Sequence, residues 1–353
     1  MNRRRWLALP TLVLASAALG WGAHGHRTIT YLALDALPAD APAWLREPSI
    51  RHQVAEQSNE PDRWRGSPVP ALAHENNPDH YLDVELLDQF GLGLRTVPRL
   101  RYDFVKAMAQ AKVTHPDRIE PYDRAKDPDG SGEWPGFLLH AISEHYGKLQ
   151  SSFNTLRILE ALDDPARAHQ LALARANVIY HMGVLSHFVA DAAQPLHTTR
   201  HHHGWVGDNP NGYTTDRRFH AYIDTDIIVF HGLGYDALRR QPLPALSADP
   251  KDPWDGLLEH LSRSFALVEP LYAMEKDGRL RGADGKRLIS ERLLDAAGML
   301  AALYRAAWES SAPTEREISA FVRYNAFDSA ALPGAPAAGR SPAATPPGNP
   351  PGP

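Results

Sequence analysis

An all-α fold, built as a single mainly helical domain, is what this sequence predicts. Three observations lead there. Five segments place apolar residues at helical spacing, alternating β-branched runs are scarce, and neither an internal repeat nor an interdomain linker interrupts residues 21–330. The chain has 353 residues and is 43% hydrophobic, enough for one sizeable core.

The elements follow in order. His-Arg-Thr-Ile-Thr-Tyr-Leu-Ala-Leu-Asp-Ala-Leu, from His26 to Leu37, sets Ile29, Leu32, Ala33 and Ala36 on one face. Residues 60–130 read as a long loop. Residues 135–162 read as a helix entered at Pro135, and 176–194 as an apolar helix stopped by Pro195. Residues 198–216 form a second long loop, with a turn at Asn209-Pro210-Asn211-Gly212. Residues 256–274 keep Leu257, Leu261, Phe265 and Val268 in register. Residues 287–311 repeat the pattern through Ile289, Leu293, Ala296, Leu300 and Ala307.

The two ends differ from this body. Residues 1–20 open with Arg3–Arg5, continue through an apolar run from Trp6 to Ala15 and end in small residues. This is the pattern of a secretory signal peptide cleaved after Gly20, so a periplasmic or secreted protein is expected. The apolar run is too short for a permanent bilayer span. Residues 331–353 hold eight prolines and four glycines and are expected to be a disordered tail.

Composition then narrows the chemistry. The chain lacks cysteine, which excludes disulfides and thiolate metal sites and leaves His, Asp, Glu, backbone or a terminal amine as metal ligands. Formal charge is −5, and loss of the three signal arginines would leave −8, unlike a protein that coats nucleic acid. Eighteen histidines stand out, seven of them between His181 and His220. His187 and Asp191 share a helix face four residues apart, with His197 just beyond Pro195; His220 and Asp224 repeat the spacing. His52–Glu56 and His140–Glu144 have the same spacing and read as ordinary helix-face pairs. The triple His201–His203 reads as a solvated run rather than a metal-attracting loop. Upstream lie Asp62 with Arg65, then His80, Tyr81 and Asp83. Were Trp21 the mature N-terminus, its amine, titrating near ~7.7–8.0, could chelate a metal together with its own carbonyl, with His26 supplying a nitrogen.

In order and spacing these residues resemble the S1/P1 nuclease family, related to the zinc-dependent phospholipases C. The specific parts are Trp-Gly-x-x-Gly-His at residues 21–26 and His-Phe-x-x-Asp-x-x-Gln-Pro-Leu-His at 187–197. The resemblance runs from Trp21 to about Asp226. It implies a helical domain with a trinuclear zinc cleft. Asp62, His80, His187 and Asp191 would hold one zinc, and His197, His220 and Asp224 a second. The third would bind the Trp21 amine and carbonyl, His26 and a bridging Asp191. Arg65 would contact phosphate, Asp62 would also act on the attacking water, Tyr81 would stack a base and Asp83 would hydrogen-bond it. The implied activity is endonucleolytic hydrolysis of single-stranded DNA and RNA to 5′-phosphates. The alternatives are phospholipase C action on phosphatidylcholine and non-catalytic zinc binding; no obligate protein partner is implied. The chain departs from the family in lacking disulfides, in placing Ile223 before Asp224 where Trp is common, and in the insert carrying His201–His203.

Overall fold

A computed structural model describes residues 21–127 and 129–324. The expected signal peptide (1–20) and tail (331–353) lie outside the described residues. Among those described the chain is helical, without strands, and no helix is long and apolar enough to cross a membrane.

The order is α1 (Ala23–Asp35), α2 (Pro48–Gln57), α3 (Glu60–Arg65), α4 (Pro70–Asn76), α5 (Arg101–Thr114), α6 (Leu138–Leu162) and α7 (Ala168–Ala193). A short α8 (Phe219–Ala221) runs through one π turn, Tyr222–Asp226, into α9 (Ile227–His231). Then come α10 (Tyr235–Leu238), α11 (Trp254–Phe265), α12 (Val268–Lys276), α13 (Ala283–Glu309) and α14 (Glu315–Tyr324). Helix α7 is the hub: α6, α13, α2, α1 and α11 all pack on it. Its residues 182–193 are buried all round, as expected of a helix apolar on every face.

Several expected boundaries shift, each for a local reason. The helix expected from Pro135 begins at Leu138, because Gly136 sits at φ +107° with its backbone against Tyr81; a Cβ there would lie 2.0 Å from the Tyr81 carbonyl oxygen. The segment 256–274 is two helices. The break at Ala266–Leu267 puts Pro270 in the first turn of α12, where no helical N–H is needed. Residues 60–130 are not one loop but contain α3, α4, α5 and several 3₁₀ turns. Residues 198–216 do lack helix. The registers expected for α1 and α13 are the buried faces: Ile29, Leu32, Ala33, Ile289, Leu293, Ala296, Leu300 and Ala307 are all in the core.

Gly183 sets how closely α2 approaches α7. A Cβ there would meet Gln57 Cβ at 2.2 Å and the Val54 carbonyl at 2.7 Å. The close approach brings Ser58, one residue past α2, to the side chain of His187 on α7. Gly183→Ala should therefore destabilise the protein by about 1–3 kcal/mol through overpacking, despite alanine's better helix propensity. Denaturant unfolding checks this; an unchanged or raised midpoint would contradict the packing.

Candidate metal centre

The buried end of α7 carries His187 and Asp191 one turn apart, with His187 Nε2 3.3 Å from Asp191 Oδ2. The helix stops at Gln194, whose side-chain oxygen accepts from the Leu196 N–H at 2.5 Å. The turn Pro195–His197 then folds back so that the His197 ring stands perpendicular to that of His220, with centroids 4.8 Å apart. His220 lies on α8 and Asp224 in the π turn that follows, 3.3 Å apart. Gln194 Nε2 donates to Asp224 Oδ1 at 2.7 Å, so one side chain ties the end of α7 to the π turn. From the other side, α1 presents His26 with its Nε2 3.5 Å from Asp191 Oδ1 and its ring stacked 4.0 Å from His187. Helix α3 contributes Asp62, and the 3₁₀ turn after α4 contributes His80.

Three imidazoles are oriented in the same way. His80 Nδ1 meets the Asn76 carbonyl at 2.6 Å, His187 Nδ1 the Ser58 carbonyl at 2.7 Å, and His197 Nδ1 the His80 carbonyl at 2.6 Å. A carbonyl only accepts, so each Nδ1 carries a proton and, in the neutral ring, Nε2 keeps its lone pair. All three Nε2 atoms are buried without a hydrogen-bond partner, as are both oxygens of Asp191, Asp62 Oδ1, Asp224 Oδ2 and both ring nitrogens of His26 and His220. Leaving so many buried polar atoms unmatched is costly unless a cation meets them. A carbonyl-anchored imidazole is also how metal-ligating histidines are held.

The spacing fits a cation as well. A tetrahedral site with bonds of about 2.0–2.1 Å has ligand edges of about 3.3 Å, close to the His187–Asp191, His220–Asp224 and His26–Asp191 separations given above. Three groups each gather their ligand atoms within 4.8 Å: His197 with His220 and Asp224; His80 with His187 and Asp191; and His26 with Asp62 and His187. These buried groups could hold metal ions. The first is the expected set. The second is three of the four expected together; the fourth, Asp62, has its Oδ1 3.9 Å from His80 Nε2 and also gathers with His26 and His187, so the first and third expected sets form one continuous cluster around His187.

Electrostatics favours ligand forms for most of the cluster, with His187 the exception: burial lowers it, but Asp191 and Asp62 outweigh that and raise it above the ordinary histidine value. Burial pushes His26, His80 and His220 well below the ordinary histidine value, keeping them neutral. Burial alone would raise Asp191, but His197, His187 and His26 hold it well below the usual carboxylate range. Burial raises Asp224, and an adjacent cation would reverse that.

Trp21 is fully buried, its indole N–H donating to the Ala190 carbonyl at 2.9 Å, next to Asp191. Its carbonyl accepts from the His26 N–H at 3.2 Å. The cleavage expected to free its amine lies outside the described residues. Arg65 reaches Asp62 Oδ1 with Nη2 at 3.4 Å and walls an open cavity of about 340 Å³ with Asn77, Tyr81, His197, His203 and His220. Tyr81 lines this cavity, its hydroxyl donating to the Ser131 carbonyl at 3.3 Å. Asp83 lies beneath the wall rather than in it, 3.9 Å from His202 Nδ1.

His201–His203 are not a solvated run. All three are half-buried: His201 stacks on Trp205 at 3.8 Å, and His202 and His203 line the cavity, with His203 5.4 Å from His220. The rings of Trp205 and Tyr213, in the same loop, pack on Tyr272 of α12, and this draws the insert inward. Gln194 was the other residue given no role by sequence reasoning, although it stands within the Gln-Pro-Leu-His run. The two helix-face pairs stay apart from the cluster: Glu56 pairs with Arg27, Glu144 with Arg101, and His140 Nε2 meets the Pro98 carbonyl.

No family model matches the chain, and no curated protein matches it at a significant level.

Buried neutral histidines also set the acid response of the metal-free protein. His140 is pushed down to about 4, His145 to about 3 and His202 to about 4, each mainly by burial. Their folded values lie below the unfolded one near ~6.5, so the unfolded chain binds more protons in this window. Stability should be fully present above about pH 6.5 and be lost as pH falls towards about 4. Unfolding midpoints measured from pH 7 to 4.5 check this; a flat profile would contradict the assignment.

Proposed function

We infer that this chain is a zinc-dependent phosphodiesterase, an endonuclease of the S1/P1 type that hydrolyses single-stranded DNA and RNA to 5′-phosphate products. The observation that carries the reading is the convergence of carbonyl-anchored imidazoles and buried carboxylate oxygens without hydrogen bonds beneath an open cavity walled by Arg65. The donor set of imidazole and carboxylate, without thiolate, suits zinc. In this reading three ions are held by Asp62, His80, His187 and Asp191; by His197, His220 and Asp224; and by Trp21, His26 and Asp191. The protein is exported, and its Trp21 amine is free.

When bound, zinc supplies Lewis acidity towards phosphate and water. The chain's own groups do the rest. Arg65 presents a guanidinium fork to a nonbridging phosphate oxygen. Asp62 orients the attacking water and takes its proton, while the new oxygen–phosphorus bond forms and the bond to the 3′ oxygen breaks. The 3′ oxygen leaves as a hydroxyl, taking a proton from solvent, to which Asp62 returns the one it accepted. Tyr81 offers an aromatic face for a base beside the phosphate, a sequence-tolerant contact suited to single strands. The tight packing of the cluster and the presence of Arg65 favour catalysis over zinc storage, which requires neither.

The test compares hydrolysis of single-stranded DNA and of phosphatidylcholine by zinc-loaded protein beginning at Trp21. DNA cleavage that is lost with EDTA and restored by zinc is expected. Full activity after complete metal removal would contradict the reading, and headgroup release with inert DNA would move the substrate to phospholipid. Arg65→Ala should lower kcat on DNA about 10²–10³-fold while keeping the bound metal. A kcat within twofold of the parent would remove Arg65 from the phosphate site.

A further inference from the structure

Beside the candidate metal centre lies a second, larger cavity of about 680 Å³, within the roughly 300–1,000 Å³ of small-ligand sites. It opens beside the helix bearing His220, and its wall includes Arg217, Arg218, Arg281, Phe219 and Tyr222, with Asp216, Asp226 and Glu275 as its acids. His203 lines both cavities. Its ring lies 5.4 Å from His220. The two cavities therefore flank the metal cluster's His220 and meet at His203.

The cations in the second cavity are not equivalent. Arg218 is held by Asp216 at 2.8 Å. Arg281 is fixed by the Tyr222 hydroxyl, its Nε 3.0 Å away, and lies over the Tyr222 and Phe230 rings at 5.6 and 5.4 Å. Arg217 is exposed and makes no hydrogen bond or ion pair among the described residues. It is the guanidinium left available to an incoming anion, beside an aromatic wall already braced by Arg281.

Building on the phosphodiesterase reading, we propose that this second cavity is the subsite for the polynucleotide on the far side of the scissile phosphate from Tyr81, with Arg217 binding its next backbone phosphate and Tyr222 bordering its base. A substrate then spans both cavities across His203. The chemistry selected is a chain of at least two phosphates, not a single phosphorylated nucleoside.

Two substrates separate the subsite from the reaction. Thymidine 3′-monophosphate ends at the scissile phosphate and cannot enter the second cavity; single-stranded d(T)4 can. Arg217→Ala, at an exposed position where folding is not at stake, should raise KM for d(T)4 about tenfold, at least fivefold more than for thymidine 3′-monophosphate. Arg217→Lys should recover part of the loss. Anisotropy titrations of fluorescein-labelled phosphorothioate d(T)4 should show the log–log salt slope of the alanine variant reduced by about 0.7, the signature of one lost phosphate contact. Equal losses on both substrates, or an unchanged salt slope, would overturn the assignment. If the parent protein hydrolyses neither substrate, the phosphodiesterase reading fails and the subsite with it. If it hydrolyses both and the variant does not separate them, only the subsite fails.

Discussion

The structure depends on one buried carboxylate. Asp191 is wholly excluded from water, its oxygens make no hydrogen bond, and His26, His187 and His197 crowd around it. An ionised group in such a place is tolerated only when charge is brought to it. The histidines answer part of that demand, and a bound cation would answer the rest. Each imidazole is in turn fixed by a backbone carbonyl or by ring packing, so the cluster's geometry is set by where the main chain runs, not by side-chain freedom alone.

This explains why so much of the fold is arranged around the last three turns of α7. Helix α2 must lie close enough for the Ser58 carbonyl to reach His187, which Gly183 permits. The His80 segment supplies both a side chain of the cluster and the carbonyl that orients His197. Trp21 closes the end of α7 through Ala190, and His260 on α11 reaches the Val189 carbonyl from behind at 3.1 Å. The π turn after α8 sets Asp224 against Gln194. A π turn is rare in helices and concentrates at functional sites, where its extra residue redirects a side chain.

Legibility in the sequence followed the range of the interactions. The helical class and the registers of α1 and α13 were readable because burial repeats with the helix period. The pairs His187–Asp191 and His220–Asp224 were readable because spacing by four fixes a shared face. The 60–130 region was not: α3 and α4 are short, and the apolar face of α5 is narrow, with only Phe104, Met108 and Ala111 buried. The late start of α6 depends on Gly136 meeting Tyr81, and the inward fold of His201–His203 on loop rings meeting Tyr272 of α12. These are tertiary contacts with no local period. The grouping of Asp62 with His26 and His187 belongs with them, since α1, α3 and α7 must be packed before those three side chains meet.

The central claim is that the cluster around Asp191 is a metal centre, and the most direct test is metal stoichiometry. Folded protein beginning at Trp21 would be equilibrated with zinc, freed of excess and weighed by native mass spectrometry, beside Asp191→Ala treated in the same way. The account predicts three tightly held zinc ions in the parent and a loss of at least two in the variant, because Asp191 serves two of the three proposed sites. A parent that folds and stays metal-free, or a variant that keeps its full complement, would contradict it.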